Sequence, residues 1–259
     1  MSLDRMLERL SQAPAKDVSR QRQISVWKGE PVDRLPILFG VPTPGLEGGI
    51  HFDMKECYED REKMLFETLY SMISQAESPS DSLPGIRANT GTGTLPCCFG
   101  LKQEIFPDKM PWLKEHLTKE QIMHLEPDDF DDVTGKGIMP QVLDYQRYFK
   151  SQLNGSGWVF LSDTQGPMDI AHLVRGDDIF FDMYDDPPFV HHLMELALAV
   201  YISATKAMKA NLDEPYDQGP HVDGVFVANG AVRVCEDTPV ILSPHLIERF
   251  VVPYTKRAL

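Results

Sequence analysis

Two polar side chains, Asp163 and Gln165, stand directly after a short apolar run, Trp158-Val159-Phe160-Leu161, and directly before Gly166-Pro167. The run is opened by Gly155 and Gly157 and reads as a strand buried on both faces. Pro167 suits the first position of a helix, and Gly176 stops it. In α/β enzymes the polar residues at the carboxyl end of such a strand line the active site. A carboxylate placed there can act as a catalytic group, and an amide can orient a substrate by hydrogen bonds. An N-cap role competes for Asp163, although Gln165 and Gly166 lie nearer the cap position.

The same logic selects further residues. Asp81 opens, and Arg87 closes, a second strand signal around Leu83-Pro84-Gly85-Ile86. Glu236 and Asp237 follow Val232-Arg233-Val234-Cys235 and precede the helix opened by Ser243-Pro244. The expected catalytic residues are therefore Asp163 and Asp81, and the expected substrate-binding residues are Gln165, Arg87, Glu236 and Asp237. A turn role competes for Asp81, surface ion pairing for Arg87, and a helix cap for one of Glu236 and Asp237. Asp33-Arg34 reads as a surface turn pair. His191 and His192 point about 100° apart on their helix and do not suit one metal ion.

The elements that position these residues alternate. Leu3 to Lys28 reads as two helical pieces broken at Pro14, and Leu35 to Val41 as a first buried strand, followed by a Gly/Pro-rich loop from Pro42 to Gly49. Tyr58 to Ala76 is an amphipathic helix, with Leu65, Leu69, Met72, Ile73 and Ala76 at three- and four-residue spacing. The Asp81–Arg87 strand runs into the Gly91/Gly93 loop. Cys97-Cys98-Phe99-Gly100 and Lys102 to Phe106 suggest a short hairpin, and Trp112 to Met123 a broken helix. Glu126 to Asp132 reads as an acidic, solvated linker. Helices follow at Ile138–Leu153, Pro167–Arg175, Asp177–Tyr184 and Asp186–Asn211, with strand signal at His221–Val227 and Ala231–Cys235. Strands alternating with helices imply a parallel sheet with right-handed crossovers.

The chain has 259 residues, of which 42% are hydrophobic and 25% charged, the usual balance of a globular protein. Its net charge of −14 leaves no basic footprint for nucleic acid and makes an anionic membrane surface an unsuitable partner. No apolar run reaches the length of a membrane span. The 4 cysteines have no regular spacing, so a reducing cytoplasm is the expected location.

Four segments resemble the uroporphyrinogen decarboxylase superfamily: Lys28-Gly29-Glu30-Pro31-Val32-Asp33-Arg34-Leu35-Pro36; Asp81 with Leu83-Pro84 and the Gly91/Gly93 loop to Phe99-Gly100; Asp163-Thr164-Gln165-Gly166-Pro167-Met168-Asp169-Ile170-Ala171 with Arg175-Gly176 and Asp185-Asp186-Pro187; and Leu242-Ser243-Pro244-His245 leading to Phe250-Val251-Val252-Pro253-Tyr254. Together they cover nearly the whole chain in the right order. The resemblance implies an α/β fold, a (β/α)₈ TIM barrel, and a small-molecule substrate. It offers two activities: cofactor-free decarboxylation of a porphyrinogen, or methyl transfer and demethylation with a corrinoid protein as partner and zinc as cofactor.

The decarboxylase branch carries Arg-Gln-Ala-Gly-Arg at the end of the first strand, to neutralise a substrate rich in carboxylates. Here that strand ends in Phe39-Gly40-Val41-Pro42-Thr43-Pro44, without arginine. An unpaired buried polyanion is costly, so methyl transfer is the preferred expectation and decarboxylation the alternative. The methyltransferase branch places zinc on His-x-Cys and a distant second Cys. No His-x-Cys occurs here, and Cys97-Cys98, on a strand, would point to opposite faces. A zinc site from Cys235, His221 and Asp223 competes with ordinary burial of those residues, which is the preferred reading; zinc ligands are expected beyond residue 259.

A complete (β/α)₈ barrel takes about 250 residues, yet only four barrel strands are legible: Leu35–Val41, Asp81–Arg87, Trp158–Leu161 and Val232–Cys235. The chain is therefore expected to be one domain, 1–259, incomplete at its C-terminus, with a helical extension over 1–33 and four βα units over 34–259. Such a half barrel has open edges, expected to be exposed or to pair with a second copy as a homodimer. A non-catalytic remnant is the third expectation.

Overall fold

The computed structural model describes residues 2–40, 45–46, 51–230 and 232–259. Helix α1 (Leu3–Gln12) is capped by the Ser2 hydroxyl and buries Met6 and Leu10, four residues apart on one face. Ala13 turns to extended backbone ahead of Pro14, as a pre-proline residue must, and α2 (Asp17–Trp27) resumes beyond it. The amphipathic stretch at 58–76 is divided. Asp60 leaves helical geometry between α3 (Met54–Glu59) and α4 (Arg61–Glu77), and its carboxylate accepts the Glu62 and Lys63 N–H groups. The expected inner face of α4 is buried: Leu65, Leu69, Met72, Ile73 and Ala76.

Three short β pairs follow. Strands β1 (Gly85–Ile86) and β4 (Trp158–Val159) are parallel, with Gly85 opposite Trp158 and Ile86 opposite Val159. Their alignment continues through Phe160 N–H to Ile86 O and Ser162 Oγ to Ala88 O. Beyond β4, Gln165 bridges Cys235 in parallel, and Cys235 O accepts from Gly166 N–H. On the other side, Asp81 N–H donates to Ile37 O. Extended segments around residues 37, 81–88, 158–165 and 233–235 thus lie side by side in chain order. The α/β class holds.

Between the first pair, β2 (Gln103–Glu104) and β3 (Trp112–Leu113) form an antiparallel hairpin. Then come α5 (Lys119–Met123), α6 (Met139–Leu153), α7 (Pro167–Arg175), α8 (Asp178–Asp185) and α9 (Pro187–Leu212). The final helical stretch is α10 (Pro244–Leu246), a π turn (Ile247–Val251) and α11 (Val252–Ala258). Helix α9 is the centre of the core. Val190, Leu193, Met194, Ala197, Tyr201, Ala204 and Met208 are buried along one stripe, and so are Leu196, Leu198 and Val200 on other sides, as in a helix covered all round. Among the described residues no helix is long and apolar enough to cross a membrane.

Four expectations fail locally. Leu35–Gly40 is not a regular strand and is exposed, with Leu35 at 70% and Ile37 at 58%. Among the described residues it is hydrogen-bonded on one side by Ser80 and Asp81; Val41 to Pro44 and Glu47 to Gly49 lie outside the described residues. Cys97 and Cys98 sit in a 3-10 turn (Pro96–Phe99) rather than a hairpin. Trp112 and Leu113 are strand, and helix begins only at Lys119 behind the Thr118 cap. The strand signal at 221–227 becomes an antiparallel hairpin, β5 (Gln218–Pro220) with β6 (Phe226–Ala228), joined through a 3-10 turn (Val222–Gly224). Gly224 makes that turn possible: its φ is +73°, and its carbonyl accepts from Leu83 N–H at 3.0 Å, so close that a Cβ would overlap Ser82 and Leu83.

Candidate functional site at the carboxyl ends of the strands

Arg87 follows β1, Asp163 follows β4, and Arg233 lies on the next extended segment. The structure brings the three together. Arg233 Nη1 hydrogen-bonds to Asp163 Oδ1, and Arg87 Nη1 stands 3.5 Å from the same oxygen. Asp163 is buried, while both guanidiniums keep partial exposure, at 22% for Arg87 and 34% for Arg233. Two cations thus stand against the Asp163 carboxylate, and the Asp237 carboxylate also acts on Arg233. Planar guanidinium forks suit a single carboxylate or phosphate-like group.

The backbone behind Arg233 is fixed from two directions. Its carbonyl accepts from Thr164 Oγ1 at 2.7 Å and from Tyr201 Oη at 3.1 Å. Tyr201 is fully buried on α9, and burial raises its phenol well above the ordinary range. The polar turn after β4 therefore both supplies Asp163 and, through Thr164, holds its partner strand.

The other expected residues divide. Gln165 is buried and contributes its backbone bridge to Cys235. Glu236 is not presented to a substrate: its Oε1 accepts Met168 N–H at 3.0 Å at the start of α7, and its Oε2 accepts from Thr255 Oγ1 at 3.0 Å. Burial raises its carboxyl above the usual range, against the pull of those two donors. Gly166 leaves the space for it, since a Cβ there would overlap Glu236. Asp237 is exposed, with its Oδ2 4.0 Å from Cys235 Sγ.

Asp81 lies apart from this group. It sits at the opposite end of its segment from Arg87, up to roughly 20 Å away along extended chain. At 1% exposure it pairs with Arg22 and Arg34, each at 2.5 Å, and accepts from Ser19 and from Ile37 N–H. Burial opposes its ionisation, but Arg34, Ile37 N–H, Ser19 and Arg22 together outweigh that and hold its carboxyl at about 2. Every lone-pair direction is used for joining the N-terminal helices to the sheet. Asp33 and Arg34, expected as a surface turn pair, instead belong to this network, Asp33 through Arg22.

The described residues do not gather a zinc ligand set. Among the described residues no three His, Cys, Asp or Glu side chains converge as a metal set. Burial pushes the thiols of Cys57 and Cys97 up to about 11 and Cys98 up to about 12, and it raises Cys235 as well. His221 is kept neutral by burial and by the charges of Lys209 and Arg233; the side chain of Asp223 lies outside the described part.

Sequence reasoning missed Arg233, Thr164 and Asp169. Arg233 had a signal: a lone cation between Val232 and Val234, two residues before a polar strand end. Asp169 lies in the first turn of α7, and its partners are 68 and 69 residues away.

A family model for uroporphyrinogen decarboxylase (URO-D) matches residues 18–259. No curated protein matches the chain. Among solved structures it is similar to a methyltransferase from Methanosarcina mazei, with a TM-score of 0.66 and 14% sequence identity over 93% of this chain. The chain spans 66% of the length of that protein, and at this identity the likeness is one of fold.

Proposed function

The chain belongs to the uroporphyrinogen decarboxylase family, and on that premise we propose that it serves methyl transfer, in the methyltransferase or demethylase branch, with a corrinoid protein as partner. Its extended segments and helices are then the first four βα units of a (β/α)₈ barrel. The substrate is a small molecule with one anionic group, bound at the strand ends by Arg87 and Arg233.

The observation that carries this is the charge balance around Asp163. Two guanidiniums face Asp163, and Asp237 also acts on Arg233, so at most one positive charge is left over. Arg22 and Arg34 are no help to a polyanion, because they are spent on Asp33 and Asp81. A porphyrinogen with many carboxylates would bring several uncompensated charges to this place, each costly to desolvate. The fold likeness to a methyltransferase points the same way.

In this role Arg87 and Arg233 bind and orient the anionic end of the substrate. Asp163 holds the two guanidiniums in one place and keeps them from repelling each other. Thr164 and Tyr201 hold Arg233 from behind. The corrinoid partner gives or takes the methyl group, and the described residues of this chain supply binding and orientation.

The test is cobalamin-dependent methyl transfer by the full-length protein, with methylcobalamin, a thiol acceptor and added zinc, read from the change in cobalamin absorbance. Transfer that falls in Arg87→Ala and Arg233→Ala supports the proposal. No transfer, together with saturable binding of uroporphyrinogen, replaces it with the decarboxylase. Silence in both assays favours a non-catalytic remnant.

A further inference from the structure

The Gln165 side chain has no task within the fold. The residue is 4% exposed, yet its amide makes no hydrogen bond among the described residues. Neither polar atom is sealed off: both keep contact with water-accessible space, unlike the enclosed, unpaired Nε2 of Gln146. The second oxygen of Asp163 is in the same state, since Arg233 and Arg87 both address Oδ1 and no donor reaches Oδ2.

The backbone sets the direction of this amide. Cys235 N–H donates to Thr164 O at 3.4 Å, and Gly166 N–H donates to Cys235 O at 2.6 Å, so Gln165 stands directly opposite Cys235 in a parallel ladder. Side chains alternate along extended chain, so Asp163 and Gln165 share one face of their segment, and Arg233 and Cys235 share one face of the next. The ion pair of Arg233 with Asp163 joins these two faces into one surface. Gln165 therefore lies on the side of the guanidiniums, two residues and roughly 7 Å along the chain from Asp163. Cys235, its direct neighbour, does not compete for the amide, because a thiol is a weak donor and a weak acceptor.

A nearly buried amide without partners has given up most of its water without replacement, and an apolar side chain would be cheaper there. The carboxamide offers an acceptor and a donor in one plane. A carboxylate would answer only the donor and would repel Asp163. An ammonium would answer only the acceptor and would stand against Arg87 and Arg233. The edge of another amide answers both at once, in the planar paired contact that glutamine makes with adenine. The anion beside it is singly charged, because at most one positive charge is left over at Asp163; a carboxylate meets that condition and a dianionic phosphate does not. We propose that Gln165 is a specificity-determining residue of this site and that its substrates are small amido acids, with the carboxylate on Arg87 and Arg233 and the amide edge on Gln165. The inference rests on the reading of the two arginines as the anion site.

The experiment titrates the full chain with succinamate, glutaramate and adipamate, read by ligand-observed NMR. Each is compared with the isostere that keeps the carboxylate and ends in an isopropyl group: 4-methylpentanoate, 5-methylhexanoate and 6-methylheptanoate. At least one amido acid is expected to bind about tenfold tighter than its isostere, the yield of a pair of neutral hydrogen bonds. Gln165→Met keeps the length of the side chain and the backbone bridge. In that variant, checked for native melting, the preference should vanish while the isosteres bind as before. The inference is overturned if no amido acid exceeds its isostere in the wild type, or if the preference survives in Gln165→Met. The isosteres test the anion site by themselves: binding that weakens in Arg233→Ala upholds it even where the amide preference fails. No binding by either series at millimolar concentration overturns both. None of these readouts depends on methyl transfer.

Discussion

Asp169 and Glu236 cap one another's elements. Glu236 Oε1 accepts the Met168 N–H at the start of α7, and Asp169, one residue further along that helix, accepts the Asp237 and Thr238 N–H groups that follow Glu236 in the chain. Each of these distances is between 2.8 and 3.0 Å. Two chain segments 67 residues apart are thus locked by reciprocal carboxylate–backbone bonds, directly beneath the bridge of Gln165 to Cys235. This lock fixes the register that places Arg233 beside Asp163.

Asp169→Ala should therefore destabilise the protein by about 2–4 kcal/mol, because it removes a buried carboxylate that accepts two backbone N–H groups. Glu236→Gln should be mild, since the amide oxygen can still accept from Met168 and the raised carboxyl no longer has to ionise. Gly166→Ala should resemble Asp169→Ala by pushing Glu236 out of its place. Urea unfolding of the three variants checks the order; equal losses for Asp169→Ala and Glu236→Gln would contradict the reciprocal cap.

Asp81→Asn is expected to cost about 3–5 kcal/mol, the usual effect of removing one partner from a buried ion network. The pH dependence has a definite sign. The Asp81 carboxyl is depressed from 3.8 to about 2, so its stabilising contribution is fully present above pH 3.8 and is lost as pH falls through about 2. Its size is about 2 kcal/mol. Stability curves of wild type and variant should converge at the acid end. If Asp81→Asn keeps its stability but abolishes activity, the carboxylate is catalytic and not structural.

The parts of the fold readable in the sequence were those governed by local physics. Helix ends carry their own signals, and Pro14, Gly166-Pro167, Gly176 and Asp186-Pro187 marked boundaries that the structure keeps. Strands were harder, because an apolar run does not say what covers it. Leu35–Phe39 and Val222–Val227 look alike as composition, yet one is exposed and the other folds into a hairpin around Gly224. At the strand ends, Asp163 and Arg87 each close an apolar run, and the structure brings them within 3.5 Å. Asp81 and Glu236 satisfy the same pattern but lie among other partners. Their roles depend on Arg22, Arg34, Met168 and Thr255, long-range partners that no spacing encodes.

Glu214 gives a second pH signature, opposite to that of Asp81. Its carboxyl rises from 4.5 to about 7 on folding. The contribution to stability is present below pH 4.5 and is lost as pH rises through about 7, a change of about 3 kcal/mol. Lys209 faces it, and Arg20, Lys150, Asp213 and His221 lie around the neighbouring cavity or hairpin. His221, lowered from 6.5 by burial, Lys209 and Arg233, titrates in the other sense: its contribution is lost as pH falls below 6.5. The difference between wild type and Glu214→Gln removes the common terms. That difference should move in favour of the variant between about pH 4.5 and pH 8. A flat difference would mean that Glu214 ionises freely.

The assignment of Asp163 as a positioning residue makes a kinetic prediction distinct from catalysis. Arg87→Ala and Arg233→Ala each remove one charge-assisted contact to the substrate anion, so KM should rise about tenfold to a hundredfold with a smaller change in kcat. Arg233→Lys should recover part of this, because it keeps the charge and loses the fork. In Asp163→Asn the site keeps its shape and gains a positive charge, while the guanidiniums lose the oxygen that both of them face. KM should then shift modestly, within about tenfold, and kcat should largely survive. If Asp163 instead takes part in the chemical step, Asp163→Asn lowers kcat by a hundredfold or more at unchanged KM, on the scale of a lost general acid or base, about 10²–10⁴. Steady-state kinetics of these variants, measured in the methyl-transfer assay, separates the two roles.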